Sequence, residues 1–244
     1  VDRVDGPKVL GIMLSCAAGY ADLPPGVDLP SQGVFRSLMD CRIVLRTLRG
    51  LLEFIGQESI EQLEQVTIEH AGPSAELVAI PKLASALELL AWAERTERQI
   101  YAKLDTFSLR RDTDLPKHVR FEGLLWLEGV RFMRKGVELA PRRILMIDDV
   151  HKLRESQRAL LKEELTEIRP TIPVWLAQRT IALGSMLLSP GARESRDASQ
   201  HSLDQLWTNS RQFMAFAKNV LDRRMSDQLE IDSKSLELNL RDTL

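Results

Sequence analysis

The amino-acid sequence predicts an α/β protein in which helices cover a parallel sheet. Two runs of consecutive apolar residues, Ile144–Ile147 and Val174–Leu176, are typical of strands that are buried on both faces. A third strand is predicted within residues 8–16, "KVLGIMLSC". Because stretches with helical spacing separate the three runs, their alternation favours a parallel sheet. We expect Ile144–Ile147 to form its central strand and Val174–Leu176 to lie beside it.

Length and composition indicate a globular protein with a sizeable core. The chain has 244 residues, of which 44% are hydrophobic and 28% charged, and its formal net charge is -2. This balance excludes a uniformly basic nucleic-acid-binding surface but permits local basic patches. Cys16 and Cys41 stand in apolar stretches and predict reduced core residues of a cytoplasmic protein. No apolar run reaches the roughly 18 residues that a membrane-spanning helix needs.

After its first strand, the first half of the chain is predicted to be helical. Residues 17–33 are rich in Gly, Pro and Asp and predict a loop. Helical spacing of apolar residues follows over 34–55, and residues 58–70, "ESIEQLEQVTIEH", predict a second, acidic helix. A third helical region covers residues 74–103, where Pro81 divides a short piece from a long helix.

The second half returns to strands after one more helix. Residues 121–139, "FEGLLWLEGVRFMRKGVEL", predict an amphipathic helix, and residues 154–169 and 202–224 predict two others. The predicted organisation is a strand and loop of the α/β core, a long helical insertion, the second part of the core, and a C-terminal tail. In chain order these parts are residues 1–33, 34–136, 137–224 and 225–244.

Two adjacent aspartates follow the apolar run Ile144–Ile147 in the stretch "RRILMIDDVHKL". Asp148 and Asp149 would stand at the carboxyl end of the strand, the edge at which open parallel sheets bind ligands. Adjacent carboxylates repel each other unless a cation or a donor compensates them. This is the layout of a Walker B segment, whose first acid helps to hold the magnesium of a bound nucleotide.

A simpler interpretation of the same pair is an Asp-Asp turn that ends a buried strand, with one aspartate capping the next helix. His151 could reach the same edge, but a histidine at the start of a helix is more often a surface group. The choice between a cation site and a cap therefore stays open at the level of sequence.

Polar residues also follow the last predicted strand. In "VWLAQRT" the run ends in Gln178, Arg179 and Thr180. Further on, Arg193 and Arg196 lie on a Gly-containing stretch before a predicted helix, from which a guanidinium could reach phosphates across a subunit interface. The alternatives are ordinary strand-end polarity for the first group and solvated loop arginines for the second.

The Walker A loop, G-x-x-x-x-G-K-[ST], occurs nowhere in the 244 residues. Either the chain does not bind nucleotide, or the loop lies upstream of Val1. Because the sequence begins with Val rather than Met, we expect a segment of a longer protein whose first strand and P-loop precede it. Such a segment alone is predicted to be inactive.

In combination, "RRILMIDDVHKL", the helix after it, "IPVWLAQRT" and "GARESRDASQHSLDQLW" resemble bacterial P-loop ATPases related to the origin-recognition (ORC) branch of the AAA+ superfamily. The resemblance covers about residues 120–210. It implies a parallel-sheet P-loop NTPase core that binds ATP and Mg²⁺. Asp148 would be the magnesium-side acid, and Asp149 would polarise the attacking water. A Glu often stands at the second position, so the shorter Asp149 predicts slow, switch-like turnover.

The same resemblance implies that Gln178 and Arg179 lie near the γ-phosphate and that Arg193 and Arg196 act in catalysis across a homo-oligomer interface. The expected function is an ATPase that couples Mg-ATP binding and hydrolysis to a conformational change. A nucleic acid or a protein could be its partner. The rival hypothesis is a non-catalytic protein interaction module with a helical surface.

Overall fold

The computed structural model describes residues 9–17, 19–20, 23, 29–56, 59–77, 79–105, 118–179, 213–215 and 217–219. In chain order its strands and helices are β1 (Leu10–Ser15), α1 (Leu29–Phe54), β2 (Thr67–His70), α2 (Ala86–Asp105), α3 (Gly123–Gly129), β3 (Val130–Arg134), β4 (Val137–Leu139), β5 (Arg143–Asp148), α4 (Glu155–Ile168) and β6 (Val174–Leu176). Short 3-10 helices cover Ile60–Gln65, Gly72–Glu76 and Val150–Lys152.

The chain divides into two compact units, Val1–Ala192 and Arg193–Leu244. All the elements named above belong to the first unit. Of the second unit the structure describes only residues 213–215 and 217–219, which are helical. Within the described residues, no helix is both long enough and apolar enough to cross a membrane.

A three-stranded parallel sheet forms in the order β1-β5-β6. This confirms the predicted α/β class, with Ile144–Ile147 in the central strand and Val174–Leu176 in the strand beside it. β1 alternates strictly, so that Leu10, Ile12 and Leu14 are buried while the residues between them are exposed. The helix α1 packs against β1 and forms part of the core together with this face of the sheet.

The prediction that the β6 run is buried on both faces is wrong. Trp175 is 63% exposed and Leu176 is 39% exposed, and on β1 Met13 is 53% exposed. An unbroken apolar run shows only that a strand is hydrophobic. Whether each face of the strand is buried depends on whether another element covers that face. The face that carries Ile12 and Leu145 is covered, whereas the face that carries Met13 and Trp175 is open to solvent.

The helix α1 begins five residues before the predicted start, because part of the predicted loop is helical. Its second residue is Pro30, a position where proline is tolerated because the first N–H groups of a helix have no intrahelical partner. The helix ends at Phe54, and Gly56 follows with φ +66, the left-handed conformation common after a helix C-terminus.

Two segments predicted as helices contain strands. The acidic segment 58–70 forms a 3-10 helix and then β2, and segment 121–139 forms the short α3 followed by the hairpin β3–β4. The strands β2, β3 and β4 pair in this order as an antiparallel sheet. Residues 34–136 are therefore not a purely helical insertion. The reason is long-range pairing: β2 gains its partner only when β3, more than sixty residues later in the chain, lies alongside it.

Other predicted elements agree with the structure. The long helix after Pro81 is α2, the helix after the two aspartates is α4, and Cys16 and Cys41 are buried in the core. The predicted connection after α2, at residues 106–117, and the predicted tail 225–244 lie outside the described residues, as does most of the predicted helix 202–224.

A buried carboxylate joins α1 to the start of α3. Asp40 is fully buried and accepts hydrogen bonds from the backbone N–H of Gly123 at 2.6 Å and of Glu122 at 3.2 Å. The Nδ1 of His118 lies 2.6 Å from Oδ2 of the same carboxylate. Gly123 is required for this approach, because a Cβ there would lie 2.8 Å from Asp40 Oδ1. Burial raises the pKa of Asp40, while the hydrogen bonds from His118, Gly123 and Glu122 oppose that shift.

Candidate functional site

The carboxyl ends of the three parallel strands meet at one edge of the sheet. In the β1–β5 register Ser15 pairs with Asp148, and in the β5–β6 register Ile147 pairs with Leu176. The two predicted aspartates therefore lie at the end of the central strand, with a strand end on each side. This is the position at which open parallel sheets bind ligands.

Backbone hydrogen bonds continue past the strand ends and fix this edge. The N–H of Cys16 donates to the carbonyl of Asp148 at 2.9 Å. On the other side, the N–H of Ala177 donates to Ile147 O at 2.9 Å, and the N–H of Val150 donates to Ala177 O at 3.0 Å. Backbone hydrogen bonds thus join the residues after β1, β5 and β6 to one another at this edge.

Asp148 is half-buried and one of its oxygens is already oriented. Its Oδ1 accepts the backbone N–H of Asp149 at 2.7 Å. That hydrogen bond compensates part of the negative charge and leaves Oδ2 as the oxygen that could face a cation.

Asp149 has an unusual backbone conformation. Its φ is 57 and its ψ is 32, in the left-handed region. Such a conformation costs an ordinary residue roughly 1–2 kcal/mol, although Asp and Asn adopt it more readily than most. Its side chain retains 30% exposure, and its Oδ2 lies 3.5 Å from the donating hydroxyl of Ser15. Backbone strain of this kind is concentrated at functional sites, and here it sets the carboxylate beside Ser15.

The alternative interpretation, in which an aspartate caps the next helix, is wrong. Asp149 directly precedes the 3-10 helix Val150–Lys152, but its side chain makes no capping hydrogen bond. The residue before α4 is Arg154, whose backbone N–H donates to Gln157 Oε1 at 3.0 Å. The side chain of Asp149 therefore does not cap the 3-10 helix, and neither aspartate is the N-cap residue of α4.

Gln178 and Arg179 follow β6 at the same edge, as predicted. Gln178 is half-buried and Arg179 is exposed. The backbone N–H of Arg179 donates to His151 Nδ1 at 3.4 Å, which ties this segment to the residues after the aspartates. Arg193 and Arg196 lie outside the described residues.

Two more residues lie at this edge, of which Ser15 was not predicted as a site residue. The sequence left open whether His151 reaches this edge or is a surface group; its side chain is only 7% exposed, so it is not a surface group. Ser15 accepts the N–H of Ala17 at 3.2 Å, which leaves its own hydroxyl proton free to point at Asp149. The signal for Ser15 was present in the sequence, since a polar residue at the end of the first predicted strand must share an edge with the aspartates.

The thiol of Cys16, the residue after Ser15, is expected to be unreactive near neutral pH. Burial raises the pKa of Cys16 to about 12; the guanidinium of Arg42 opposes this shift, and the carboxylates of Asp149 and Asp148 add to it. A thiol with so high a pKa is protonated near neutral pH and is a poor nucleophile or metal ligand.

The described residues contain no group of three or more His, Cys, Asp or Glu side chains arranged to hold a metal ion. Comparison with protein-family models, curated proteins and solved structures found no match.

Proposed function

We propose that this chain contributes the Walker B edge of a P-loop ATPase that couples Mg-ATP binding and hydrolysis to a conformational change. The observation that carries the proposal is the position of Asp148 and Asp149 at the carboxyl end of the central strand of a parallel sheet. The Asp149 side chain makes no capping hydrogen bond to the 3-10 helix after it, and Asp149 is held in a left-handed conformation. The resemblance of residues 120–210 to AAA+ ATPases points to the same roles.

The donor set at this edge suits a magnesium ion. Mg²⁺ prefers oxygen ligands and is commonly held by one or two carboxylates, with waters and substrate phosphates completing its shell. Asp148 offers Oδ2, and the hydroxyl of Ser15 is at the end of the neighbouring strand. Asp148 would hold the ion, which when bound neutralises charge on the phosphates.

In this proposal Asp149 would act on a water molecule rather than on the cation. Its carboxylate is 30% exposed, so water can reach it, while Ser15 contacts one of its oxygens. A carboxylate that orients or polarises the nucleophile is the usual partner of the magnesium acid in phosphoryl transfer. Gln178 and Arg179 would lie at the phosphate side of the same edge.

A non-catalytic interaction module is the second candidate, and the open face of the sheet favours it. The register aligns Met13, Met146 and Trp175 in one row across the three strands. Met13 and Trp175 are 53% and 63% exposed. An apolar row of this kind is typical of a surface that another element or protein covers.

The first test is to read the coding sequence upstream of the Val1 codon. The ATPase proposal expects a G-x-x-x-x-G-K-[ST] loop there, because backbone N–H groups of that loop cradle the phosphates. Its absence would favour the interaction module.

The second test compares Asp149→Asn and Asp148→Asn in the longer protein that includes this upstream loop, called the loop-bearing protein below. Asp149→Asn should lower ATP turnover by about 10²–10⁴-fold, because it removes the charge that activates the nucleophile. Mg-ATP affinity should survive this change. Asp148→Asn should instead weaken magnesium-dependent binding, since a neutral amide is a poorer ligand for a hard cation.

Glu69→Gln is a matched control, because Glu69 is an exposed carboxylate on β2 in the other sheet. Turnover and Mg-ATP affinity are measured for the parent and all three variants. Equal turnover in the four proteins would contradict the Walker B assignment.

A further inference from the structure

His151 is enclosed at the sheet edge, although it lies in a short 3-10 helix directly after the strand end. Its side chain is 93% buried, as follows from its exposed fraction of 7%. Its Nε2 is buried and has no hydrogen-bond partner in the part of the chain that the structure describes. Leaving a buried polar atom without a hydrogen bond costs free energy. The groups that lie nearest to Nε2 therefore indicate what it could bind.

Hydrogen bonding at Nδ1 defines which ring nitrogen carries the proton. The backbone N–H of Arg179 donates to Nδ1 at 3.4 Å, so Nδ1 acts as an acceptor. In a neutral imidazole the other nitrogen then carries the hydrogen. Nε2 lies 3.8 Å from Asp149 Oδ1, within ion-pair distance but beyond a hydrogen bond.

Asp149 therefore stands between two donors. The Ser15 hydroxyl lies 3.5 Å from Oδ2, and His151 Nε2 lies 3.8 Å from Oδ1. The Ser15 contact is at the limit of a hydrogen bond and the His151 contact is beyond it, so a small rotation of the carboxylate could bring either group into hydrogen-bond range.

We infer that His151 is a positioning residue that holds the carboxylate of Asp149 for its work on water, and that links it to the strand end carrying Arg179. This inference rests on the proposed function, because it concerns the residue that the ATPase would use to activate its nucleophile. His151 touches neither phosphate nor cation in this role. It acts through Asp149, as partners that orient functional side chains commonly do.

Two variants separate the two ends of the ring. The side-chain amide of Gln reaches the place of Nε2, so His151→Gln keeps a donor toward Asp149 and loses the acceptor for Arg179. The shorter Asn reaches the place of Nδ1, so His151→Asn keeps the acceptor for the Arg179 N–H and loses the donor toward Asp149. A purely structural histidine would make activity follow stability in both variants.

The first measurement needs no nucleotide and uses the 244-residue chain. Long-range ¹H–¹⁵N spectra of the imidazole rings report which nitrogen of His151 is protonated. We expect the Nε2–H form, and we expect Asp149→Asn to shift the Nε2 resonance of His151. His70 is the internal reference, because its Nε2 lies 3.3 Å from Leu83 O in a different part of the fold. A protonated Nδ1, or a His151 signal that Asp149→Asn leaves unchanged, would overturn the inference.

The second measurement compares turnover and stability in the loop-bearing protein. We expect His151→Asn to lower kcat by on the order of 10- to 100-fold with KM nearly unchanged, the scale on which an orienting partner acts. His151→Gln should retain most of kcat, even though its urea midpoint falls at least as far as that of His151→Asn. If kcat instead follows the urea midpoint in both variants, His151 is structural only.

The proposed function and the positioning role of His151 can be contradicted separately. Turnover that survives Asp149→Asn removes the proposed function, and with it the role of His151 in hydrolysis. Turnover that requires Asp149 but falls equally in His151→Gln and His151→Asn overturns the positioning role alone.

Discussion

At the scale of single residues, the carboxyl edge of the sheet brings two carboxylates and a thiol close together. Asp148 and Asp149 are carboxylates with partial access to solvent, whereas the adjacent Cys16 is a thiol that burial keeps protonated. These groups stand at neighbouring strand ends but differ in burial. Burial raises the pKa of the Cys16 thiol, whereas both carboxylates are partly exposed. Ionisation of the thiol can therefore be tested separately from the carboxylates.

Cys16 should make the stability of the chain depend on alkaline pH. Its pKa is raised from 9.0 to about 12 in the folded chain, mainly by burial. Because the thiol pKa is higher in the folded chain than in the unfolded chain, its contribution to the free energy of unfolding is fully present below pH 9. That contribution is lost as pH rises toward 12. One unit above the ordinary thiol pKa, near pH 10, the loss from this residue should be about 1.4 kcal/mol. Urea unfolding at about pH 7.5 and about pH 10 measures it.

Cys16→Ala is the control for this prediction. The variant loses some core packing at every pH, but its additional loss between the two pH values should be smaller than that of the parent by the amount due to the thiol. Cys41 is present in both proteins, so its own ionisation cancels in the comparison. Identical pH dependence in the two proteins would show that the Cys16 thiol ionises as easily in the folded chain as in the unfolded one.

At the scale of secondary-structure elements, the hairpin β3–β4 depends on a two-residue turn. Lys135 has φ 51 and Gly136 has φ 77, which is the pattern of a type I′ turn. A Cβ on Gly136 would meet no atom within 4 Å, so the effect of an alanine there comes from the backbone alone. Gly136→Ala should destabilise the chain by roughly 1–2 kcal/mol.

Lys135→Asn is the matched variant, because Asn adopts the left-handed conformation more readily than Lys. Its free energy of unfolding should equal or slightly exceed that of the parent. Urea denaturation of the three proteins checks both expectations. A neutral Gly136→Ala together with a destabilising Lys135→Asn would mean that the hairpin closes through a different turn.

The turn also explains why the sequence misled at this element. The stretch "VRFMRKGVEL" has Lys-Gly where Asn-Gly or Asp-Gly would have marked a hairpin, and the preceding residues of α3 have helical spacing. By contrast, β1, β5 and β6 were predictable because each is a short apolar run between clear breaks. Local pattern thus located the parallel strands, while the antiparallel sheet depends on pairing between β2 and β3 that no local pattern records.

The candidate site shows the same division. Asp148 and Asp149 were predictable because a doubled carboxylate after a buried strand is visible in the sequence. The contact of His151 with the Arg179 backbone was not, because it arises only when β6 lies beside β5. Burial of the histidine is a property of strand neighbours rather than of the residues next to it in the chain.

At the scale of the whole molecule, one face of the parallel sheet is packed and backbone hydrogen bonds join the strand ends at its carboxyl edge, while the 244 residues contain no Walker A loop. Tight nucleotide binding by P-loop proteins depends on the N–H groups of the Walker A loop, and no stretch of the 244 residues has that pattern. In the proposed site, Asp148 would contact a nucleotide only through the cation. The two halves of such a site are therefore separable by experiment.

The 244-residue chain alone should bind Mg-ATP weakly or not at all. Isothermal titration calorimetry with Mg-ATP should show no saturable heat in the micromolar range, which corresponds to roughly -8 kcal/mol of binding free energy. Asp148→Asn should give the same trace, because removing the proposed magnesium ligand cannot weaken binding that the absence of a Walker A loop from these 244 residues already prevents. Saturable micromolar binding would contradict this prediction. Its loss in Asp148→Asn would then place a complete nucleotide site at the sheet edge, and its persistence would place the nucleotide elsewhere on the chain.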